Sequence, residues 1–213
     1  MLPRAVASVA AQTRLPDEIV VMIDHAGVGA AANRNAALGR VTSEYVAFLD
    51  DDDEFLPHHL EHCLALLEET GADLCYPWFE GINSFGIFGV PKPGLTVGQA
   101  RAYGQPLSVP CVSPEGREWD ETLADWLSWA GNFIPVTVVA RTEAVRSVGG
   151  FEGLADQSVD QCDDYRCWMH LLEAGATFVH LPERTWRWNG HPGHTSGRRW
   201  TELVEPSGSF VKF

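Results

Sequence analysis

Two short apolar runs constrain this chain more than any other feature. Glu18-Ile19-Val20-Val21-Met22-Ile23 and Tyr45-Val46-Ala47-Phe48-Leu49 each have the length of one strand, and each ends on carboxylates, at Asp24 and at Asp50 to Asp53. Runs that are apolar on both faces belong inside a sheet covered on both sides. Between and after them the period changes from two to 3.6. Helices are expected over Arg4–Gln12, Ala30–Leu38, Pro57–Leu67, Thr142–Val148 and Asp163–Ala174, with a further one at Asp120–Trp129 and a short one around Val97–Ala102. Further strands are expected at Asp73–Trp78, Pro135–Ala140 and Ala176–Leu181, with another at Thr185–Trp188. Strands alternating with helices predict an α/β fold, a mostly parallel central sheet flanked by helices. In such sheets ligands bind beyond the carboxyl ends of the strands, where both acid groups fall.

With 213 residues, the chain is the size of a single domain. Residues 1–78 form the regular half that carries the acid clusters. Residues 79–130 are loop-rich, with few periodic stretches, and residues 131–213 return to regular structure before a C-terminal tail. A net charge of -14 with only two lysines, Lys92 and Lys212, excludes nucleic acid as a partner, because phosphate backbones need a basic stripe. An anionic ligand would therefore need a divalent cation and local arginine or histidine. No run reaches the ~20 apolar residues of a membrane span. The five cysteines form no CxxC pair and read as reduced core thiols, so a cytoplasmic location is expected.

The run Phe48-Leu49-Asp50-Asp51-Asp52-Asp53-Glu54-Phe55-Leu56-Pro57 carries the strongest chemical signal. Crowded carboxylates repel unless a cation sits among them, and hard oxygen donors on a short loop suit Mg²⁺ or Mn²⁺. On charge alone the run reads equally well as a solvated acidic turn. A calcium loop is excluded because Phe55 stands where that loop needs glycine. His58, His59 and His62 share one helix, but no third ligand stands at a suitable spacing, so they read as solvated helix histidines. Trp119, Trp126 and Trp129 read first as packing residues and second as a sugar-stacking face.

From Arg4 to Gly197 the chain resembles glycosyltransferase family 2, whose members have the nucleotide-diphospho-sugar transferase (GT-A) fold. The resemblance rests on five ordered motifs. They are Ala7-Ser8-Val9-Ala10-Ala11-Gln12-Thr13, Ala32-Asn33-Arg34-Asn35-Ala36, the acid run, Gly149-Gly150-Phe151 with Asp163-Asp164, and Trp186-Arg187-Trp188 followed by His191-Pro192-Gly193-His194. It implies transfer of a sugar from a UDP- or GDP-sugar to a carbohydrate, lipid or protein hydroxyl, with inversion and with Mg²⁺ or Mn²⁺ as cofactor. On that resemblance Asp24 meets the nucleotide base, and Arg34, Asp50 and Asp51 meet the rest of the donor. Asp50 and Asp52 would hold the metal with His191 and His194, while Asp53, Asp163 and Trp188 stand beside the site. Asp164 would be the catalytic base; Asp163 stands where glutamate is commoner in the family.

The chain also departs from the family. It lacks the apolar strand that precedes the first helix in relatives, which would leave neighbouring strands unpaired. The alternating tail Gly208-Ser209-Phe210-Val211-Lys212-Phe213 is one candidate to fill that place, and pairing in a homodimer is another. Two rival readings follow. A sugar nucleotidyltransferase on the same fold would want a basic Gly-rich phosphate loop near the start, which is absent. A non-catalytic carbohydrate-binding member would not need both Asp52 and Asp164.

Overall fold

The computed structural model describes residues 1–83, 134–152 and 163–190. Five helices lie in this part: α1 (Leu2–Ala10), α2 (Ala30–Leu38), α3 (His59–Thr70), α4 (Thr142–Ser147) and α5 (Asp163–Glu173). Five strands accompany them: β1 (Tyr45–Ala47), β2 (Glu54–Phe55), β3 (Leu74–Asn83), β4 (Val139–Arg141) and β5 (Phe178–Gly190). The helices expected around residues 97–102 and 120–129, and the tail from 208, lie outside the described residues. No helix among the described residues is long and apolar enough to cross a membrane.

The strands form one sheet in the order β1-β4-β3-β5-β2. β3 and β5 pair in parallel, whereas β4 runs antiparallel to both β1 and β3, and β2 runs antiparallel to β5. The sheet is therefore mixed, where the sequence pattern predicted a mostly parallel one. β1, β3 and β5 share one direction, and the two short reversed strands, of three and two residues, carry too little pattern to betray theirs.

Strand alternation divides the core between the two faces. Leu74, Tyr76, Val138 and Ala140 pack with Ala31 and Leu38 of α2, Val145 of α4, and Trp168 and Leu171 of α5. Cys75, Phe79, Val139 and Trp186 point the other way, onto Leu60, Cys63 and Leu67 of α3. The result is a helix–sheet–helix layering in which a one-residue slip would exchange the two faces. β5 is one strand where two were expected. Its register against β3 jumps from Pro77↔Leu181 to Trp78↔Arg184, so Pro182 and Glu183 form a bulge inside a continuous ladder.

Among the described residues, 18–23 take part in no ladder. They keep strand-like alternation, but the outward residues are apolar: Ile19, Val21 and Ile23 are 51%, 44% and 55% exposed. The same segment lines a cavity of about 710 Å³ together with Tyr45, Val46, Ala47 and Phe48. The segment is held instead at its start, where Glu18 Oε1 accepts hydrogen bonds from Thr42 N (2.6 Å) and Ser43 N (2.8 Å).

Two of the sequence motifs meet in the packing. Asn35 on α2 donates from Nδ2 to Phe151 O (2.6 Å) and accepts from Phe151 N at Oδ1 (2.8 Å), tying α2 to the turn after α4. Gly150 makes that approach feasible, since its φ is +71° and a Cβ there would overlap Asn35 Oδ1. Gly150→Ala should therefore lose the ~1–2 kcal/mol that left-handed backbone costs an L-residue, plus the cost of displacing Asn35. Asn35→Ala should cost about 1–3 kcal/mol by stranding two backbone groups. Urea unfolding measures both, and a Gly150→Ala protein as stable as the parent would refute this packing argument.

Candidate functional site

The site is built around Arg34, which α2 delivers from its middle. The guanidinium donates from Nη2 to Asp50 Oδ1 (2.7 Å) and Oδ2 (3.1 Å), and from Nη1 to Asp163 Oδ2. It also lies 5.7 Å above the ring of Phe151. Its side chain is only 16% exposed, and the two carboxylates hold its proton more tightly than usual despite burial. Four motifs separated along the chain thus converge on one cation: the Asn33-Arg34-Asn35 segment, the acid run, the glycine pair with Phe151, and the Asp163-Asp164 pair. The resemblance implied a donor contact for Arg34; the contacts described here are with the protein's own Asp50, Asp163 and Phe151.

Asp163 and Asp164 open α5, where the helix dipole favours negative charge. Their surroundings differ. Asp163 is paired with Arg34, whereas Asp164 accepts a hydrogen bond from Tyr165 N (2.8 Å). Asp164 keeps some solvent-accessible surface but is crowded by protein on its other sides. That desolvation, helped by the charge of Asp163 and opposed by Arg34, pushes its carboxyl up to about 6.

The acid loop leaves β1 through Phe48 and turns on the bond from Asp53 N to Asp50 O (3.2 Å). Asp51 is exposed, Asp50 keeps 43% of its side chain open, and Asp52 is half-buried. Asp53 differs from its neighbours: it is 3% exposed and accepts from Asn189 N (3.0 Å), which fastens the loop to the end of β5. Burial, against the bond from Asn189 and together with the charges of Asp52 and Asp50, raises Asp53 to about 9; a cation beside it would act the other way. Asp50, Asp51 and Asp52 offer hard oxygen donors at the surface of one tight turn. This fits Mg²⁺ or Mn²⁺, which take one or two carboxylates and leave the remaining positions to water and phosphate.

Asp24 is placed by its own loop. Its two oxygens accept from Val28 N (2.9 Å) and Gly29 N (2.8 Å), which lowers its pKa and closes the turn that starts α2. Asp24, Arg34, Asp50 and Asp51 all line the cavity of about 710 Å³ whose remaining lining is mostly apolar. Trp188 is half-buried on β5, its ring centroid 6.4 Å from that of Phe79. His191 and His194 lie outside the described residues.

The sequence reading missed the residues that hold the acid loop in place. Ser8 Oγ accepts from Phe55 N (3.0 Å), and Gln12 both donates to Leu56 O (2.7 Å) and accepts from Leu60 N (3.0 Å). Arg4 Nη2 donates to Asp52 O (2.9 Å) while its Nε pairs with Glu54 (2.9 Å). Asn189 Nδ2 donates to Asp52 O (2.9 Å). Gln12 is 5% exposed just past the end of α1, which stops two residues short of where the helix was expected to end.

Residues 22–101 match the model of glycosyl transferase family 2. The pre-mycofactocin glycosyltransferases of two Mycobacterium tuberculosis strains are each 28% identical to this chain over 163 residues, 72% of the chain and 28% of their own length. Among solved structures, Staphylococcus aureus TarS 1-349 in complex with UDP-GlcNAc superposes with a TM-score of 0.56 at 17% identity, covering 91% of this chain and 56% of TarS. The complex of TarS with UDP gives 0.55 at 16% identity, covering 90% and 57%. The chain thus spans little more than a quarter of its mycobacterial relatives and somewhat over half of TarS 1-349, with which it shares a GT-A-type fold. The ordered motifs and the match over 22–101 make the chain similar to glycosyltransferase family 2, and the solved structures give it that family's type of fold.

Proposed function

We propose that this chain transfers a sugar from a nucleotide-diphosphate donor to an acceptor hydroxyl, inverting the anomeric centre. One observation carries the reading: Arg34 bonds Asp50 and Asp163 together, which places the acid loop beside a carboxyl, Asp164, poised near 6. Environments that push adjacent acids apart are the usual basis for separate roles in one site. The UDP-GlcNAc complex of TarS, a structural neighbour, supports a nucleotide-sugar as the donor class.

In this mechanism the donor occupies the polar mouth of the cavity, with Asp24 and Asp51 toward the nucleoside. Asp164 as carboxylate accepts the proton of the acceptor hydroxyl. The oxygen attacks the anomeric carbon from the face opposite the diphosphate, and the bond from that carbon to the diphosphate oxygen breaks with its electron pair. Arg34 supplies fixed positive charge and holds Asp50 in position. Asp50 and Asp52, with His191 and His194 as further ligands, would hold Mg²⁺ or Mn²⁺, which neutralises charge on the departing diphosphate. A rival reading, a carbohydrate-binding protein without turnover, draws on the missing ladder at residues 18–23. Release of nucleoside diphosphate in a screen of nucleotide-sugars with and without acceptor decides between them.

Two predictions follow for the active protein. Asp164→Asn should leave donor affinity nearly unchanged and lower kcat by roughly 10²-fold or more, the usual scale for a general base. In the parent, kcat/KM should rise with pH through about 6 and then level, because the base works only after losing its proton. An Asp164→Asn enzyme with parental turnover would remove Asp164 from this role. Separately, calorimetry should find donor binding dependent on Mg²⁺ or Mn²⁺ and abolished in a folded Asp52→Ala protein. Equal affinity in EDTA would eliminate the metal from donor binding.

A further inference from the structure

His58 and His62 lacked a third ligand in the sequence, and the folded chain supplies one. The two residues sit one turn apart at the start of α3, where His62 N donates to His58 O (3.0 Å), and their ring centroids are 4.8 Å apart. Glu183 reaches them from β5, 121 residues along the chain from His62, with its Oε2 2.7 Å from His62 Nδ1. The bulge at Pro182 and Glu183 takes Glu183 out of the ladder with β3, a common means of re-aiming a strand side chain. Among the described residues this is the one group of three His, Cys, Asp or Glu whose donor atoms converge, all lying within 4.8 Å of one another.

We propose that His58, His62 and Glu183 bind a transition-metal dication of the zinc class, clipping α3 to β5. Two imidazoles and one carboxylate match the ligand set of three-residue zinc sites, which leave a fourth position to water. Tetrahedral bonds of 2.0–2.1 Å put donors about 3.4 Å apart, so the 4.8 Å spread must close by about 1.4 Å. Side-chain rotation can supply that, since His62 and Glu183 are 42% and 49% exposed. His58 Nε2 lies 3.3 Å from Arg184 O. A carbonyl can only accept, so that nitrogen carries the proton and the other keeps its lone pair, the outer-sphere arrangement usual for metal-bound histidine.

The neighbouring residue presents the pair outward. His59 is fully buried, stacks on Phe55 with centroids 4.0 Å apart, and meets Thr185 Oγ1 at 2.8 Å. With His59 fixed inside, His58 and His62 are turned toward the surface at the bulge. The cluster lies at the opposite end of the β2–β5 pairing from Asn189 and Asp53. Arg184, next to Glu183, faces Trp78 of β3 and Asn189 faces Ile82, four rises or about 13 Å along the ladder, so the site is distinct from the acid loop and independent of the reaction proposed above. Imidazole ligands favour zinc over the Mg²⁺ or Mn²⁺ suited to that loop. By joining residues 121 positions apart, the ion would close a chain loop that spans residues 84–133.

Titration of EDTA-stripped, untagged full-length protein with Zn²⁺, against a chromophoric chelator and in excess Mg²⁺, tests the proposal. One equivalent should bind and raise the unfolding temperature, and Co²⁺ in its place should give the strong visible absorption of a tetrahedral site. His62→Ala and Glu183→Gln should each weaken binding by about 10-fold or more, since even outer-sphere losses cost that much. Asp52→Ala should bind zinc as the parent does. Both half-exposed positions tolerate change, and circular dichroism checks that each variant folds. Absence of binding, parental affinity in the His58→Ala/His62→Ala protein, or loss of zinc in Asp52→Ala would each overturn the assignment.

Discussion

The site depends on the burial of one guanidinium. Desolvating Arg34 costs free energy that only paired, well-aligned carboxylates offset, and Asp50 and Asp163 meet it from elements 16 and 129 residues away. Removing either partner would leave a buried charge with half its compensation, a loss on the scale of 3–5 kcal/mol for buried pairs. The arrangement therefore forces α2, the end of β1 and the start of α5 to one point. It also distributes roles between adjacent acids: Asp163 is committed to Arg34, while Asp164 is left desolvated beside a like charge. Two aspartates next to each other in sequence thus have different surroundings, and burial first, then the charge of Asp163, raises Asp164.

The acid loop is held from two sides, and none of the holders is an acid. Arg4 and Ser8 of α1, with Gln12 just past its end, bond Asp52, Glu54, Phe55 and Leu60, and Asn189 seals the loop from β5. Asp53 belongs to this scaffold, because its buried carboxyl receives the backbone of Asn189. Within a run of four identical residues, one serves structure while Asp50, Asp51 and Asp52 keep accessible surface. Charge density drew attention to the run, but burial separates its members.

Much of this was legible where local rules and tertiary packing agree. α2 falls at the residues expected, since Gly29 and Gly39 bracket a run that nothing else interrupts. α3 starts two residues later than its pattern, because His58 takes the cap position and Pro57 stays in the preceding turn. β5 reads as two strands because Pro182-Glu183-Arg184 breaks the period locally, whereas the ladder with β3 bridges the break through a bulge. β2 has two residues and exists only by pairing with Trp186 and Arg187, so no local pattern could announce it. At the site, the family resemblance named Arg34, Asp50 and Asp164 as candidates. Their mutual bonds were beyond reach, because a contact across 129 residues has no local signature. The same holds for Glu183, whose approach to His62 turned an unremarkable histidine pair into a ligand set.

The segment from Glu18 to Asp24 shows what local pattern alone cannot secure. Its composition is that of a central strand, and its alternation survives, yet it has no ladder among the described residues. Backbone groups left without strand partners must find water, and apolar side chains on the outer face find it too. What remains are tethers at the two ends, Glu18 to Thr42 and Ser43, and Asp24 to the amides of Val28 and Gly29. The rim that carries both acids is consequently unequal. Asp50 is fixed by the end of β1 and by Arg34, whereas Asp24 is fixed by the turn that starts α2. On the proposed reading, a donor spanning both would order the Asp24 side more than the Asp50 side, and that ordering costs entropy.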